Sequence, residues 1–495
     1  MRRSKFLSVM TAMLSIAAAQ LFAGEATTRG SVAVPQIVRG PRAVRSVIPG
    51  PSSTIFTCQV VGLNSDATCY DPFQIRRAYN IDPLINAGFD GKGKTIVIID
   101  AFQAPNIVSQ LNIFNSTFDL PGLNGLGNSP DSNLGTFKQI APDGLTPFVP
   151  GDSNMASWAN EISLDVEWAH AIAPHANIVL VLAKSNEDAD ILSVTKYAID
   201  HVLGDVISQS FGEDESCLDP RLASEQHQLF SEATLKGITL FASTGDIGAA
   251  QASCDGNSLV KSISSPAVDP LVTGVGGTEL HAASYCLVEV RCSPAANPLP
   301  GTYEGEIAWN ETPDFGASGG GFSVLVDKPK YQQGSVTGGK RGLPDVSYSA
   351  AVLHGVLVYL DVPGEGTGFF LFGGTSAGSP QWSALIAIAD QRAGGNLGFI
   401  NQALYGIGQS RRYPSSYHDI TQGNNSIDDI IGFNAGPGWD AVTGLGSPNF
   451  ANLVDQLIQT VSPLDALNII TETESMANAA QSASKPAARG VRRPH

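Results

Sequence analysis

Residues 368–390 have the sequence GFFLFGGTSAGSPQWSALIAIAD, which combines three signals of an α/β fold. An apolar run ending at Phe372 predicts a strand, the glycines after it predict a tight turn, and Pro380 suits the first turn of a following helix. Ser376 would then lie where the N–H groups and dipole of a helix favour negative charge, which suits a nucleophile. The position equally suits an ordinary helix-capping serine, so this stretch alone leaves both roles open.

Four further apolar segments predict other strands of the same sheet. Each is short, rich in β-branched residues and flanked by helix-like sequence; they span residues 95–99, 178–182, 206–208 and 239–242. Such alternation of strands and helices is typical of a parallel sheet that is buried on both faces. We therefore expect an α/β fold in which residues 68–460 form a single large domain, with a parallel central sheet flanked by helices.

The composition indicates a folded protein that does not bind nucleic acid. The chain has 495 residues, of which 43% are hydrophobic, enough for one large domain plus tails. Only 15% are charged, and 46 acidic residues outnumber 29 basic ones. Because such a surface repels a phosphate backbone, we expect no nucleic-acid partner.

The first 24 residues have the pattern of a secretory signal peptide. Arg2, Arg3 and Lys5 precede an apolar run that starts at Phe6 and ends in small residues. A membrane anchor is the alternative, although the run is barely long enough to span a bilayer. We expect a secreted or periplasmic monomer that contacts no membrane once the signal is removed.

Two further segments differ in composition from the large domain. Residues 25–67 are rich in Pro, Gly, Val and Arg without a helical or alternating period, which predicts a short flexible leader. Residues 461–495 are rich in Ala and Ser and end in RGVRRPH, which predicts a disordered C-terminal tail.

Six cysteines in an exported chain predict disulfides. Close spacing favours the pairs Cys58–Cys69 and Cys286–Cys292, which leaves Cys217 with Cys254, although other connectivities are possible. The sequence contains no C-x-x-C motif, which argues against a zinc or redox site built from these cysteines.

A candidate general base lies in residues 158–174, WANEISLDVEWAHAIAP. On a helix, Glu161 and Asp165 lie about 40° apart on one face, with Trp168 between them. Two carboxylates beside an aromatic side chain can share a proton, so that one has a raised pKa and the other stays ionised. The pair would supply a base and the residue that orients it; the alternative is a solvated acidic face. Glu167 points away and is expected to be a surface charge.

A third candidate lies in residues 241–248, FASTGDIG, which predict a strand ending in a Gly-Asp-x-Gly turn. From this pattern alone, Asp246 could be a plain turn aspartate. A protonated carboxyl there could instead donate a hydrogen bond to a developing oxyanion, together with the N–H of Ser376. An ionised Asp246 would repel that oxyanion, so this role would require acid.

In chain order the three motifs are E-x-x-x-D, G-D-x-G and G-T-S-x-x-x-P, and in this combination the chain resembles the sedolisin (serine-carboxyl peptidase) family. Further segments resemble that family as well, namely residues 70–101, 264–278, 318–323 and 342–347. The resemblance implies a subtilisin-like fold in which Ser376 is the nucleophile, Glu161 the base, Asp165 its orienting partner and Asp246 the oxyanion acid. Asp100 matches an acidic position that extends this network in some members.

The resemblance also implies one structural Ca²⁺ near the end of the domain. Residues 417–423 and 436–448 combine carboxylates with glycine-rich turns that expose carbonyl oxygens, the hard ligands that Ca²⁺ prefers. From the residues alone, ordinary loop chemistry is the alternative. By match to the family, the ligands are the side chains of Asp419 and Asp440 and the carbonyl oxygens of Ile420, Gly436 and Gly438.

The implied function is that of a secreted, acid-active serine-carboxyl peptidase that hydrolyses polypeptides. One alternative is a conventional Ser-His-Asp peptidase that uses His170 or His175, although none of the eight histidines lies in the H-G-T-H context of a subtilisin. Another is a catalytically silent binding protein that retains the fold. The chain departs from the family in two ways: residues 25–67 cannot build the long folded prodomain, and Phe211 stands where some relatives have tryptophan.

Overall fold

The computed structural model describes residues 32–46, 54–60, 67–286 and 299–484. The strands in these residues are β1 (Val34–Pro35), β2 (Val38–Arg42), β3 (Thr68–Tyr70), β4 (Thr95–Ala101), β5 (Phe137–Ile140), β6 (Asn177–Ala183), β7 (Val206–Gln209), β8 (Phe211–Asp214), β9 (Thr239–Ser243), β10 (Ala250–Ala252), β11 (Leu259–Lys261), β12 (Ser264–Ser265), β13 (Thr273–Ala282), β14 (Tyr303–Ala308), β15 (Gly321–Asp327), β16 (Lys340–Leu343), β17 (Val346–Ser349), β18 (His354–Val362), β19 (Gly366–Gly373), β20 (Tyr417–His418) and β21 (Ser447–Pro448). The helices are α1 (Pro72–Ala78), α2 (Asp82–Asn86), α3 (Ile107–Thr117), α4 (Ser153–Ile172), α5 (Asp188–Asp200), α6 (Pro220–Leu235), α7 (Gly378–Ala393), α8 (Asn401–Gly408), α9 (Tyr413–Ser416), α10 (Phe450–Thr460) and α11 (Pro463–Ser484).

An eight-stranded sheet forms the centre of the fold, in the order β14-β13-β9-β7-β4-β6-β5, with β17 paired to β13. Its pairings are parallel except for the antiparallel pair β13–β14. The four segments expected to be strands from the sequence are β4, β6, β7 and β9. Two helix pairs, α4 with α7 and α5 with α6, pack against this sheet. The predicted α/β fold is confirmed.

Helix α4 runs through the interior. It begins after Asp152, whose side chain accepts a hydrogen bond from the N–H of Met155, and almost every later side chain in it is buried. Glu167 is fully buried and accepts a hydrogen bond from the N–H of Tyr359 at 2.9 Å. The prediction of a surface charge at Glu167 is wrong because β4 and β18 both pack on this helix, so that it has no solvated face.

The predicted leader is not flexible throughout. Residues 34–35 form β1, which pairs antiparallel with β8, and residues 38–42 form β2, which pairs antiparallel with β19. Strand β2 thereby becomes the edge of a second sheet, β2-β19-β18-β3. Flexibility is wrong for these residues because a strand without an internal period can still be ordered by hydrogen bonds to existing strand edges.

The predicted disorder of the C-terminal tail is wrong for residues 463–484, which form α11. Ile469 and Ile470 are buried, and the N–H of Lys330 donates to Glu472 Oε1 at 2.8 Å. A small apolar patch within the Ala- and Ser-rich sequence thus packs the helix onto the domain, next to α6. The limits of the peptidase domain at residues 68 and 460 stay a prediction.

Two of the expected disulfides are present, Cys58–Cys69 and Cys217–Cys254. Cys286 is also disulfide-bonded, but its expected partner Cys292 lies outside the described residues. The signal peptide expected over residues 1–24 lies outside them as well. Among the helices of the described part of the chain, none has both the length and the apolar character to cross a membrane.

Candidate active site

The backbone around Ser376 is shaped by Gly374. Strand β19 ends at Gly373, Gly374 has a φ of 97°, and a 3₁₀ turn over Thr375–Ala377 leads directly into α7. A methyl group on Gly374 would lie 2.5 Å from Oδ2 of Asp246 and 2.6 Å from the carbonyl oxygen of Gln36. Glycine is therefore required here both by the dihedral angle and by the close approach of these two oxygens.

The side chain of Ser376 is fully buried and faces a carboxylate. Its Oγ lies 3.0 Å from Oε2 of Glu161 and 3.1 Å from the carbonyl oxygen of Ser210. Because a hydroxyl has one proton, it can donate to either acceptor, and Glu161 is the one that can also take the proton away. Ser376 lies just beyond the C-terminal end of β19, and Glu161 lies in the middle of α4.

Three carboxyl groups form a buried cluster behind the serine: Glu161, Asp165 and Asp100. Burial raises the pKa of Glu161 well above its ordinary value, and the charges of Asp165 and Asp100 raise it further. Burial also raises the pKa of Asp165 to about 8, against the opposing effect of Ser210 and Glu161. The pKa of Asp100 is raised by burial and by Asp165. Since three adjacent buried carboxyls cannot all be ionised, the cluster retains protons that its members share.

Asp246 faces the same turn from the other side. Its Oδ1 accepts hydrogen bonds from the N–H of Thr375 at 2.7 Å and from the hydroxyl of Thr375 at 2.8 Å. Its Oδ2 is buried, flanks Gly374 and has no hydrogen-bond partner among the residues that the structure describes. Burial raises the pKa of Asp246 to about 7, although Thr375 opposes the shift. Below that pH the unpaired oxygen can carry a proton and donate it to an acceptor beside Gly374.

Such an acceptor is present, and it belongs to the chain's own leader. The carbonyl oxygen of Gln36 accepts a hydrogen bond from the N–H of Ser376 at 2.9 Å, and the N–H of Gln36 donates to the carbonyl oxygen of Ser210 at 3.1 Å. Val34 and Pro35 continue as β1, opposite Gly212 and Phe211 of β8. The Gln36–Ile37 peptide therefore lies at the serine in the extended conformation that a peptide substrate would adopt.

The leader is anchored beyond Ile37 as well. Strand β2 pairs with β19, the strand that ends next to Ser376. The Arg39 guanidinium lies 2.8 Å from Glu365 Oε2 and 5.1 Å from the centre of the Phe370 ring, and Arg42 donates to the carbonyl oxygen of Thr367 at 2.8 Å. The cleft is thus filled on both sides of the serine by one continuous segment.

Known proteins are similar to this chain in sequence and in structure. The chain is 32% identical over 406 residues to kumamolisin from Bacillus sp. (strain MN-32). The matched region covers 80% of this chain and 65% of kumamolisin. It is 35% identical over 265 residues to sedolisin from Pseudomonas sp. (strain 101), and this match covers 52% of this chain and 41% of that sedolisin. The solved structure of Pseudomonas sedolisin (serine-carboxyl proteinase) complexed with two molecules of pseudo-iodotyrostatin is similar with a TM-score of 0.62 and 25% identity, over 80% of this chain and 100% of that one.

This chain belongs to the sedolisin family. No family model matches it, and it spans between 41% and 65% of the length of the two curated relatives named above. Its fold is the subtilisin-like α/β fold that the resemblance implied.

The four residues that the sedolisin resemblance singled out therefore converge: Ser376, Glu161 and Asp165 on one side, and Asp246 across the Gly374 turn. The histidines of the conventional alternative do not take part. Nε2 of His170 lies 2.8 Å from the carbonyl oxygen of Pro121, and His175 pairs with Asp90 at 3.0 Å.

Sequence reasoning missed three groups at this site: the carbonyl of Ser210, both polar groups of Thr375, and Gln36. The position of a backbone carbonyl cannot be read from residue identity. Thr375 belongs to the serine motif, and nothing in the sequence indicates a separate role for it. Gln36 lies in a segment whose composition suggested flexibility.

The residues implied for Ca²⁺ also lie together, around the glycine-rich turn at 436–438. The N–H of Gly438 donates to both carboxylate oxygens of Asp419, at 3.0 and 3.2 Å, and the N–H of Gly436 donates to Oδ2 of Asp440 at 3.1 Å. Ile420 directly follows Asp419 and is buried. Two carboxylates at one glycine-rich turn supply oxygen ligands of the kind that a hard cation such as Ca²⁺ prefers.

The buried carboxyls predict that this sedolisin-family chain is more stable in acid than at neutral pH. Asp165 and Asp246 have folded-state pKa values of about 8 and about 7, well above the unfolded value of about 4. Their contribution to the free energy of unfolding is therefore fully present below about pH 4 and is lost as the pH rises through 7 to 8. In a Ser376→Ala background, urea unfolding should give a larger free energy of unfolding at pH 4 than at pH 8. The further change Asp165→Asn should reduce that difference by several kcal/mol, at about 1.4 kcal/mol per pKa unit.

The exposed Asp429 supplies the matched control, since Asp429→Asn removes a carboxyl without touching the cluster. A free energy of unfolding that increases from pH 4 to pH 8 would contradict the assignment of raised pKa values to these groups.

Proposed function

We propose that this chain is an acid-active serine-carboxyl peptidase that hydrolyses polypeptides bound in an extended conformation. One observation carries the proposal: a peptide bond of the chain itself lies at Ser376, with its carbonyl oxygen on the Ser376 N–H. Ser376 Oγ at the same time contacts Glu161, the group that can accept its proton. These two contacts support roles for Ser376 as the nucleophile and Glu161 as the base in acyl transfer.

The proposed reaction begins when Ser376 Oγ attacks the substrate carbonyl carbon and Glu161 takes the hydroxyl proton. The negative charge that develops on the carbonyl oxygen is held by the N–H of Ser376 and by protonated Asp246. Glu161 then protonates the leaving amine as the C–N bond breaks, which leaves an acyl ester on Ser376. Water, deprotonated by Glu161, attacks the ester and releases the acid, and Ser376 regains its proton.

Asp165 is a positioning residue in this scheme. It lies one helical turn after Glu161 on α4, and the raised pKa values of both buried carboxyls support the proposal that they share a proton. The shared proton holds the carboxyl of Glu161 in one orientation while leaving it able to accept the serine proton. Asp100 adds a further carboxyl behind Asp165.

We predict that activity is confined to acid and falls as the pH rises through about 7, because Asp246 must be protonated to hold the oxyanion. Hydrolysis of a denatured protein should be measured from pH 3 to pH 8. Ser376→Ala and Glu161→Gln should abolish it, and Asp246→Ala should lower kcat by about 10²–10³. Asp246→Asn should retain more activity than Asp246→Ala and should lose the decline near neutrality, since an amide donates at any pH and its oxygen can still accept from Thr375.

Folding of each variant is checked by its urea unfolding curve. A wild-type rate that peaks above neutrality would refute the role of Asp246, and undiminished hydrolysis by Glu161→Gln would refute that of Glu161. If folded wild-type protein cleaves nothing at any pH, the alternative of a silent binding protein is favoured.

We further propose that Gln36–Ile37 is the first peptide bond that the enzyme cleaves, which separates residues 32–36 from the domain. On the N-terminal side of the Gln36–Ile37 bond, the leader is held by the β1–β8 pairing, the hydrogen bonds of Gln36, the Val32–Glu187 bridge, and the buried Ala33 with its hydrogen bonds to Asn186. On the C-terminal side of that bond, the leader is held by β2 and remains covalently joined to the domain. Cleavage at Gln36–Ile37 would thus release only the upstream part, which then frees that half of the cleft for other substrates.

Acidification should therefore produce a new N-terminus at Ile37, detected by intact mass and N-terminal sequencing. It should be absent in Ser376→Ala, and its rate should not depend on protein concentration. When the wild type is mixed with Ser376→Ala chains, the latter should stay intact at this bond because it lies in their own cleft. Hydrolysis of added denatured protein without cleavage at Gln36–Ile37 would refute this step alone and leave the peptidase function standing.

We propose that the protein acts outside the cytoplasm and binds one structural Ca²⁺. Two disulfides in the described residues support an oxidising compartment. The convergence of Asp419 and Asp440 on the 436–438 turn supports the cation site, with the carbonyl oxygens of Ile420, Gly436 and Gly438 as further ligands.

Removal of Ca²⁺ by a chelator should lower Tm, and added Ca²⁺ should restore it, because an ion that binds only the folded state stabilises it by mass action. Asp419→Asn should largely abolish the effect of Ca²⁺ on Tm, whereas Asp429→Asn should not. An identical Tm with and without Ca²⁺ would exclude the site.

A further inference from the structure

A second cluster of ligand-type side chains lies outside the catalytic site and the proposed Ca²⁺ site. It consists of Glu279 and His281, two residues apart on β13, and His354, the first residue of β18. One ligand atom from each of the three lies within 4.8 Å of the others. Strand β13 belongs to the central sheet, whereas β18 belongs to the sheet that leads through β19 to Ser376, so the cluster joins the two sheets.

The distances in this cluster are those of ligands around a shared ion. Nε2 of His281 and Nδ1 of His354 each lie 3.3 Å from the same oxygen, Oε1 of Glu279. In a tetrahedral zinc site with bonds of about 2.0–2.1 Å, neighbouring ligand atoms are about 3.3–3.4 Å apart. Two edges of such a tetrahedron are therefore already formed, and the third would join the two imidazole rings, whose centres lie 4.8 Å apart.

Other histidine–carboxylate pairs in this protein are closer. Nδ1 of His227 lies 2.8 Å from Oδ2 of Asp269, and Nδ1 of His175 lies 3.0 Å from Oδ2 of Asp90. Each of those pairs has one histidine for one carboxylate, which a simple hydrogen bond or ion pair explains. At Glu279, two imidazoles converge on one oxygen at a longer distance, and a cation between them accounts for that arrangement.

The surroundings suit a divalent cation that keeps one position open. The side chains of Glu279, His354 and His281 are 18%, 26% and 42% exposed, so an ion can enter and a water can complete its shell.

We propose that Glu279, His281 and His354 bind one Zn²⁺, with water as the fourth ligand. Two imidazoles and a carboxylate form the N₂O donor set that zinc accepts when one position is left to solvent. The ion links the end of β13 to the start of β18 and thereby fixes the two sheets to each other, next to the β3–β18 pairing of Thr68 with His354. This site is independent of the proposed peptidase chemistry.

Calorimetric titration of tag-free Ser376→Ala protein with Zn²⁺ at pH 7.5, with Ca²⁺ in excess, should show one equivalent bound. His281→Ala and His354→Ala should each weaken that binding by more than the roughly 10- to 100-fold that loss of a supporting residue costs. His201→Ala is the matched control: His201 stacks on Tyr197 at the end of α5, away from the cluster, and its loss should leave Zn²⁺ affinity unchanged.

Co²⁺ gives a second measurement that needs no variant, because a tetrahedral Co²⁺ complex absorbs strongly in the visible and an octahedral one does not. We expect the tetrahedral spectrum in unmodified protein and its displacement by Zn²⁺. The proposal is overturned if folded protein binds no stoichiometric Zn²⁺, if both histidine variants bind it as tightly as the parent, or if Co²⁺ gives only an octahedral spectrum.

Discussion

The burial of carboxyl groups around Ser376 is the constraint on which the rest of this structure depends. Asp100, Glu161 and Asp165 have no access to solvent, and neither does the serine they serve. Ionised carboxylates are costly in such a place, so the groups hold protons at a pH where exposed acids have lost them. The same burial raises the pKa values of Glu161 and Asp246; in the proposed mechanism Glu161 takes the serine proton and Asp246 holds the oxyanion while it is protonated.

That burial is achieved by covering α4 on both sides. The central sheet packs on one side through β4, and β18 packs on the other, where its backbone also satisfies Glu167. Strand β19, paired with β18, then carries the Gly374 turn to the carboxyl cluster. The second sheet thus covers the acids and carries Ser376 to them, and the proposed Zn²⁺ site lies where this sheet meets the central one.

The leader gives the site a built-in occupant. A substrate-like segment needs only an exposed strand edge and an acceptor for its hydrogen bonds, and β8 and β19 supply both. Hydrogen bonds to these two strand edges and to Ser376 hold Gln36 at the serine. The leader is held more strongly on the C-terminal side of the Gln36–Ile37 bond, where Arg39 pairs with Glu365.

The sequence by itself determined the strands β4, β6, β7 and β9, the helix carrying Glu161 and Asp165, and the glycine turn before Ser376. These features follow from local periodicity and from residue types that chemistry needs at fixed spacing. Only the tertiary structure decided that Glu167 is buried, that residues 34–42 cross the active site, that α11 packs on the domain, and that His354 meets Glu279. Each of these depends on contacts between segments far apart in the chain, and such contacts leave no periodic signal in either segment.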